Sequence, residues 1–174
     1  ELYWMRLRLQ GGKLNKARRG ELAFRAPIGY QWDPSTERFE MEPDREVREA
    51  VRLVFERFVL EGSAYGVMRY FSAHGLRLPA RAVGSTEVRW GPARPESILR
   101  LLHNPLYAGA YAFGQRRHRR VLLDGELRSR NTKVPLQDWP VCIQGCHAGY
   151  ISWEEFMNNQ RRLTENTSMP KPEA

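Results

Sequence analysis

Residues 43–62 read PDREVREAVRLVFERFVLEG, and their apolar positions recur with the period of an α-helix. Val47, Ala50, Val51, Val54, Phe55, Phe58 and Val59 form a wide stripe opposite Arg45, Arg48, Glu49, Arg52 and Glu56. A stripe of that width needs other elements to face, so the chain is read as folding around a helical core. Pro43 suits the first helical position, Asp44 the positive end of the helix dipole, and Gly62 the stop.

The neighbouring segments supply the facing elements. Ser63 reads as the cap of a second helix with Ala64, Val67, Met68 and Phe71 inward, Gly75 ending it and Leu76 packing back. After the long connection LRLPARAVGSTEVRWGPAR, a third helix begins near Pro95 with Ile98, Leu101 and Leu102 as its core face, and Asn104-Pro105 breaks it. YAGAYAF alternates as a strand does, with Tyr107, Tyr111 and Phe113 on one side and Ala108, Ala110 and Ala112 on the other. Asp124-Gly125 predicts a tight turn between two arginine-studded arms. Ser152 and Glu155 form a capping box, stapled by Ile151 and Phe156, for a last helix from Trp153 to about Glu165. The expected fold class is α+β: a mainly helical, helix-turn-helix-like core with a small antiparallel sheet and hairpin and a C-terminal helix.

The 174 residues, 41% of them hydrophobic, suffice for one principal core. No stretch approaches the roughly 20 apolar residues of a membrane span, and ELYWMRLRLQ carries charge where a signal peptide would not, so a cytoplasmic protein without membrane contact is expected. Beginning at Glu1 inside a helical pattern, the chain reads as a piece of something longer. Cys142, Cys146 and His147 stand in CIQGCH, a spacing foreign to the usual zinc sites, so neither metal nor cofactor is assigned.

Charge points to the partner. Lys and Arg total 28 against 20 acids, a formal +8, and the excess is clustered: residues 37–61 hold eight acids and five bases, residues 113–133 seven bases and two acids. GGKLNKARRG reads as a flexible strap after a helix end stopped at Gly11-Gly12. Its Lys13, Asn15, Lys16, Arg18 and Arg19 are candidate donors to phosphates and to the minor groove, about 6 Å wide. Arg94, Ser97 and Arg100, near the start of the third helix, are candidate major-groove readers. Arg116, Arg117, Arg119 and Arg120, with Arg128 and Arg130 on the second arm, are candidate phosphate contacts of the hairpin. Each stretch alone also fits a solvated linker, an ordinary three-helix core or a solvated hairpin.

Taken together, KARRGELAFRAPIGYQWD, the two helices through SAHGLRLP, VRWGPARPESILRLLHNPLYAGAYAFG and GYISWEEFMNNQRRL resemble the recombinase domain of large serine recombinases, the integrases and transposon resolvases. The resemblance implies site-specific double-stranded DNA binding at an attachment or resolution site. It also implies a catalytic serine on a separate resolvase-like domain and a following zinc ribbon. Neither of those is in this sequence, so Ser63, Ser97 and Ser152 are not nucleophiles and the fragment is expected to be inert as an enzyme. Oligomerisation with other subunits is expected through the missing regions. The implied parse is a helix end and DNA-tracking arm over 1–20, the recombinase domain over 21–165, and a linker over 166–174. The stretch from Ala80 to Ala93 is longer and less basic than the resemblance calls for. Two rivals stay open: a basic RNA-binding module stacking bases on Tyr107, Tyr111 and Phe113, and a protein-interaction scaffold whose charge serves solubility.

Overall fold

The computed structural model describes residues 2–123 and 126–168, with side chains excepted at 119–123, 126 and 127. The Asp124-Gly125 turn, the Arg119 and Arg120 side chains and the tail from Met169 therefore lie outside the described residues. The elements run α1 (Leu2–Arg18), β1 (Tyr30–Asp33), β2 (Arg38–Met41), α2 (Arg45–Glu61), α3 (Ala64–Ala73), β3 (Arg77–Arg81), β4 (Val88–Pro92), α4 (Pro95–Leu102), β5 (Tyr111–Phe113), β6 (Arg116–Leu123), β7 (Glu126–Lys133), β8 (Val141–Ile143) and α5 (Trp153–Ser168). This is the expected α+β class: helices with small antiparallel two-stranded sheets, β1-β2, β3-β4, β5-β8 and β6-β7.

Local signals account for α2 and α3. Asp44 accepts from Glu46 N–H at 2.8 Å, which makes it the cap and leaves Pro43 outside the helix rather than at its first position. Gly62 takes φ 74° and returns its N–H to the Phe58 carbonyl at 2.9 Å. Val47, Val51, Val54, Phe55 and Phe58 are buried as the stripe predicts, while Val59, expected inside, is 58% exposed. Ser63 caps α3 through Gly66 N–H at 3.0 Å, and Leu76 N–H closes its end on the Phe71 carbonyl at 2.8 Å. Leu76 closes that turn with its backbone alone, because its side chain remains exposed. Full burial of Phe58 and Phe71 contributes on the order of 1.5–3 kcal/mol each.

The long connection before the third helix is an antiparallel hairpin. β3 and β4 pair in the register Leu78↔Gly91 and Pro79↔Trp90, so α3 and α4 are separated by two strands instead of a short turn. α4 nevertheless packs on α3 through Ile98, Leu101 and Leu102. The order helix, helix, hairpin, helix explains the length of the Ala80 to Ala93 stretch: it holds most of a paired ribbon.

Downstream, Asn104 accepts from Leu106 N–H at 3.0 Å and starts a short 3-10 turn, Pro105–Ala108. That turn corrects the single alternating strand expected from YAGAYAF. Only Tyr111–Phe113 is strand, paired with β8, and alanines and tyrosines alike are buried there because β5 lies within the core. The capping box of α5 forms in both directions, Ser152 N–H to Glu155 at 2.7 Å and Glu155 N–H to Ser152 Oγ at 3.1 Å, and the helix continues to Ser168. Among the described residues an apolar cluster gathers side chains from α1 to α5, from β1, β2 and β3, and from β5 and β8. Among the described residues, no helix is long and apolar enough to cross a membrane.

Candidate nucleic-acid interface

The basic strap is helical. α1 passes through Gly11-Gly12 and runs to Arg18, and the chain turns away at Gly20, where φ is 75°, Gly20 N–H reaches the Ala17 carbonyl at 2.9 Å and Glu21 N–H the Lys16 carbonyl at 3.0 Å. An internal glycine costs about 1 kcal/mol against alanine, which weakens a helix without stopping it; the bonds that release the chain are at Gly20. A helix about 10–12 Å across with its side chains does not thread a groove about 6 Å wide. Lys13, Asn15, Lys16 and Arg18 are thus exposed positions on a helix, with Leu14 and the fully buried Ala17 turned to the core. Arg19 is ion-paired with Glu21 at 2.7 Å.

The segment after this arm is held in place by tyrosine hydroxyls. Tyr111 donates to the Leu22 carbonyl at 2.8 Å, Tyr107 to Ile28 at 2.6 Å and Tyr150 to Gly29 at 2.7 Å, while Tyr30 donates across to Ala148 at 2.8 Å. Burial raises the pKa of all four, Tyr150 to about 12, so they remain protonated donors. Gly20 sits on Tyr111 and Ile143, which seats the end of α1 on the β5-β8 sheet. With Tyr107 and Tyr111 1% exposed, these rings offer no face for stacking a base.

α4 places the expected readers as follows. Arg94 is its cap residue and Arg100 lies in its last turn, both exposed, and Ser97 is half-buried in the first turn. Neither arginine has an acidic partner among the described residues. Pro95 at the helix start removes one unsatisfied N–H, and exposed Glu96 lies among the three candidates.

The strongest electrostatic signal is the ribbon β6-β7. Its register sets Arg116 opposite Lys133 and Arg119 opposite Arg130, like charges directly across a ladder, an arrangement that destabilises a sheet. Arg116, Arg117, His118, Arg128, Ser129, Arg130, Asn131, Thr132 and Lys133 are all exposed, so these positions lack the apolar side a two-stranded ribbon needs to hold itself against water. The ribbon leaves the β5-β8 sheet through Gly114 and Gln115, so its base and the end of α1 share one support; Arg94, Ser97 and Arg100 rest instead on the α3–α4–α5 packing.

Sequence reasoning missed the residues that set this geometry: the tyrosine latches, Arg25 and Arg81. Their bonds join positions up to 121 residues apart, and no local pattern marks them. His147 donates to the Leu106 carbonyl at 2.7 Å, and burial pushes its pKa down. Burial likewise pushes the Cys142 and Cys146 thiols up, away from the thiolate a metal would need.

Residues 45–166 match the family model described as Recombinase. A protein of Sinorhizobium fredii (strain NBRC 101917 / NGR234), known as uncharacterized protein y4bA/y4pH, is 40% identical over 171 residues, 97% of this chain and 24% of that protein. The chain therefore spans about a quarter of that relative's length. A chain in the crystal structure of an LSR–DNA complex has a similar fold, with a TM-score of 0.62 at 17% identity over 94% of this chain and 41% of that one.

Proposed function

The chain belongs to the Recombinase family, and on that premise we propose that it binds a specific double-stranded DNA site and holds it in place for strand exchange by a serine recombinase. The observation that carries this reading is the register of the β6-β7 ribbon, which sets exposed Arg116 across from Lys133, a like-charge pair that an anion lying along the ribbon would relieve. Arg116 and Arg117, with Arg119 and Arg120 along the same strand, follow phosphates; Lys13, Asn15, Lys16, Arg18 and Arg19 meet the backbone from the end of α1, laid against the duplex rather than threaded through it. Arg94, Ser97 and Arg100 meet base edges in the major groove, where an arginine paired bidentately with guanine discriminates by about 1–3 kcal/mol.

Strand cleavage itself belongs to a catalytic serine outside residues 1–174, so the isolated chain leaves DNA intact. Its contribution is positional: a misplacement of about 1 Å at the reacting centre costs on the order of 100-fold in rate. Subunit association is assigned to the same outside regions, and the working compartment is the bacterial cytoplasm at the nucleoid.

A duplex titration against salt tests the reading. Six to ten phosphate contacts lower affinity by about 10³ to 10⁵ between 50 and 200 mM salt. A flat response rejects DNA binding in favour of a scaffold, and preferential competition by single-stranded RNA rejects it in favour of an RNA module.

A further inference from the structure

Two arginines exchange hydrogen bonds across the joint between the connector after α1 and the β3-β4 hairpin. Arg25, on the connector, donates through Nη2 to the carbonyls of Arg81, at 3.2 Å, and Ala82. Arg81, at the end of β3, donates back through Nη1 to Pro27 at 3.2 Å and Tyr30 at 2.7 Å, and through Nη2 to the Glu42 carboxylate. Arg48 of α2 closes the ring on the Glu42 and Pro43 carbonyls at 2.5 and 2.7 Å.

The cost of this arrangement argues for more than stability. The Arg81 and Glu42 side chains are 13% and 11% exposed, and Arg81 Nε is buried with no partner among the described residues. A buried ion pair is a weak source of net stability and has its best-attested use in specifying one arrangement among several. Here the arrangement joined is informative. The connector carries the cationic end of α1 on one side, and β4 on the other runs within two residues into Arg94, the cap of α4. Arg25 directs Nη2 at two protein carbonyls, and Arg81 spends its two terminal nitrogens on protein carbonyls and the Glu42 carboxylate, which draws both arginines toward the joint although they are as basic as their neighbours.

We propose that the Arg25/Arg81 clasp is a positioning device that fixes the angular phase between the end of α1 and α4, so that both meet one duplex in a single register. This rests on the DNA-binding reading above. A guanidinium suits the task because its planar fork holds several acceptors in fixed directions, which a lysine does not.

The test uses this chain and a duplex selected by it from a random-sequence pool, with the arm and α4 contacts located by footprinting. One base pair inserted between the two contacts rotates them by about one-tenth of a turn. With a rigid clasp the wild-type chain loses about 10-fold in affinity on the insertion, the scale of one mismatched contact. Arg25→Ala removes only exposed bonds and leaves the buried pair whole. It binds the selected duplex more weakly but brings the insertion penalty to within about 2-fold, because the freed joint re-phases. Arg81→Lys, where circular dichroism shows it folded, keeps the charge against Glu42, loses the fork and narrows the penalty in the same way.

An Arg25→Ala chain with the wild-type penalty overturns the proposal and marks the clasp as stabilising only. A wild-type chain that binds duplex with salt dependence but without an insertion penalty overturns the clasp and leaves DNA binding standing. Absence of duplex binding by the wild-type chain overturns both.

Discussion

Replacing Arg116 by glutamate moves the stability of the ribbon and its hold on DNA in opposite directions. Arg116 lies directly across from Lys133, and the pair is exposed at the base of β6-β7. Opposed residues in such a ladder have Cβ atoms about 4.5–5.5 Å apart, and exchanging a like-charge pair for an opposite-charge pair gains roughly 0.2–1 kcal/mol. Arg116→Glu therefore slows amide exchange in the ribbon. At the same time it deletes one phosphate contact, which lowers the slope of log affinity against log salt by about 0.9. Over the fourfold range from 50 to 200 mM, that slope amounts to about 3.5-fold less salt sensitivity per contact. The new carboxylate facing phosphate adds to the loss of affinity at every salt concentration. Hydrogen exchange read by mass spectrometry measures the first effect and fluorescence anisotropy on a duplex the second. Slower exchange with an unchanged salt slope refutes the assignment of this ribbon to DNA. Faster exchange refutes the reasoning from like-charge opposition.

Four further outcomes follow from the same geometry. Arg100→Ala relaxes preference at one or two base pairs at a cost of about 1–3 kcal/mol for the preferred site. Arg18→Ala with Arg19→Ala lowers affinity for specific and random duplex alike, and selection from a degenerate pool distinguishes the two patterns. Tyr107→Phe strips the Ile28 carbonyl of its 2.6 Å donor inside the core and lowers the urea-unfolding free energy by about 1–3 kcal/mol; an unchanged midpoint would deny that the latch matters. Because burial depresses the folded pKa of His147, its neutral ring is compatible with the fold at neutral pH. Stability is retained above the unfolded value of about 6.5 and lost as pH falls toward the folded value, and His147→Gln flattens that dependence in thermal melts at pH 7.5 and 5.5.

Among the elements, those governed by short-range physics were legible before folding. Asp44, Ser63 and Ser152 cap helices because their oxygens meet N–H groups two or three residues on, and Gly62 ends one because it adopts a left-handed turn without a Cβ clash. The apolar stripe of α2 announces itself through periodicity alone. Gly11-Gly12 misled because a glycine pair states only a cost, and whether the helix continues depends on what its next turn gains. Here Ala17 gains a fully buried place beside the β5-β8 sheet.

The sequence by itself determined which residues want to be helical, which want to be buried and where the cations are concentrated. It did not determine what those residues face. The pairing of β3 with β4, the burial of Tyr107 and Tyr111 and the opposition of Arg116 to Lys133 exist only once distant segments are in register. The same holds for the exchange between Arg25 and Arg81, made across 56 residues of chain. A hydrogen bond acts over about 3 Å, so partners far apart in the chain leave no trace in local composition, and only the folded chain brings them within reach.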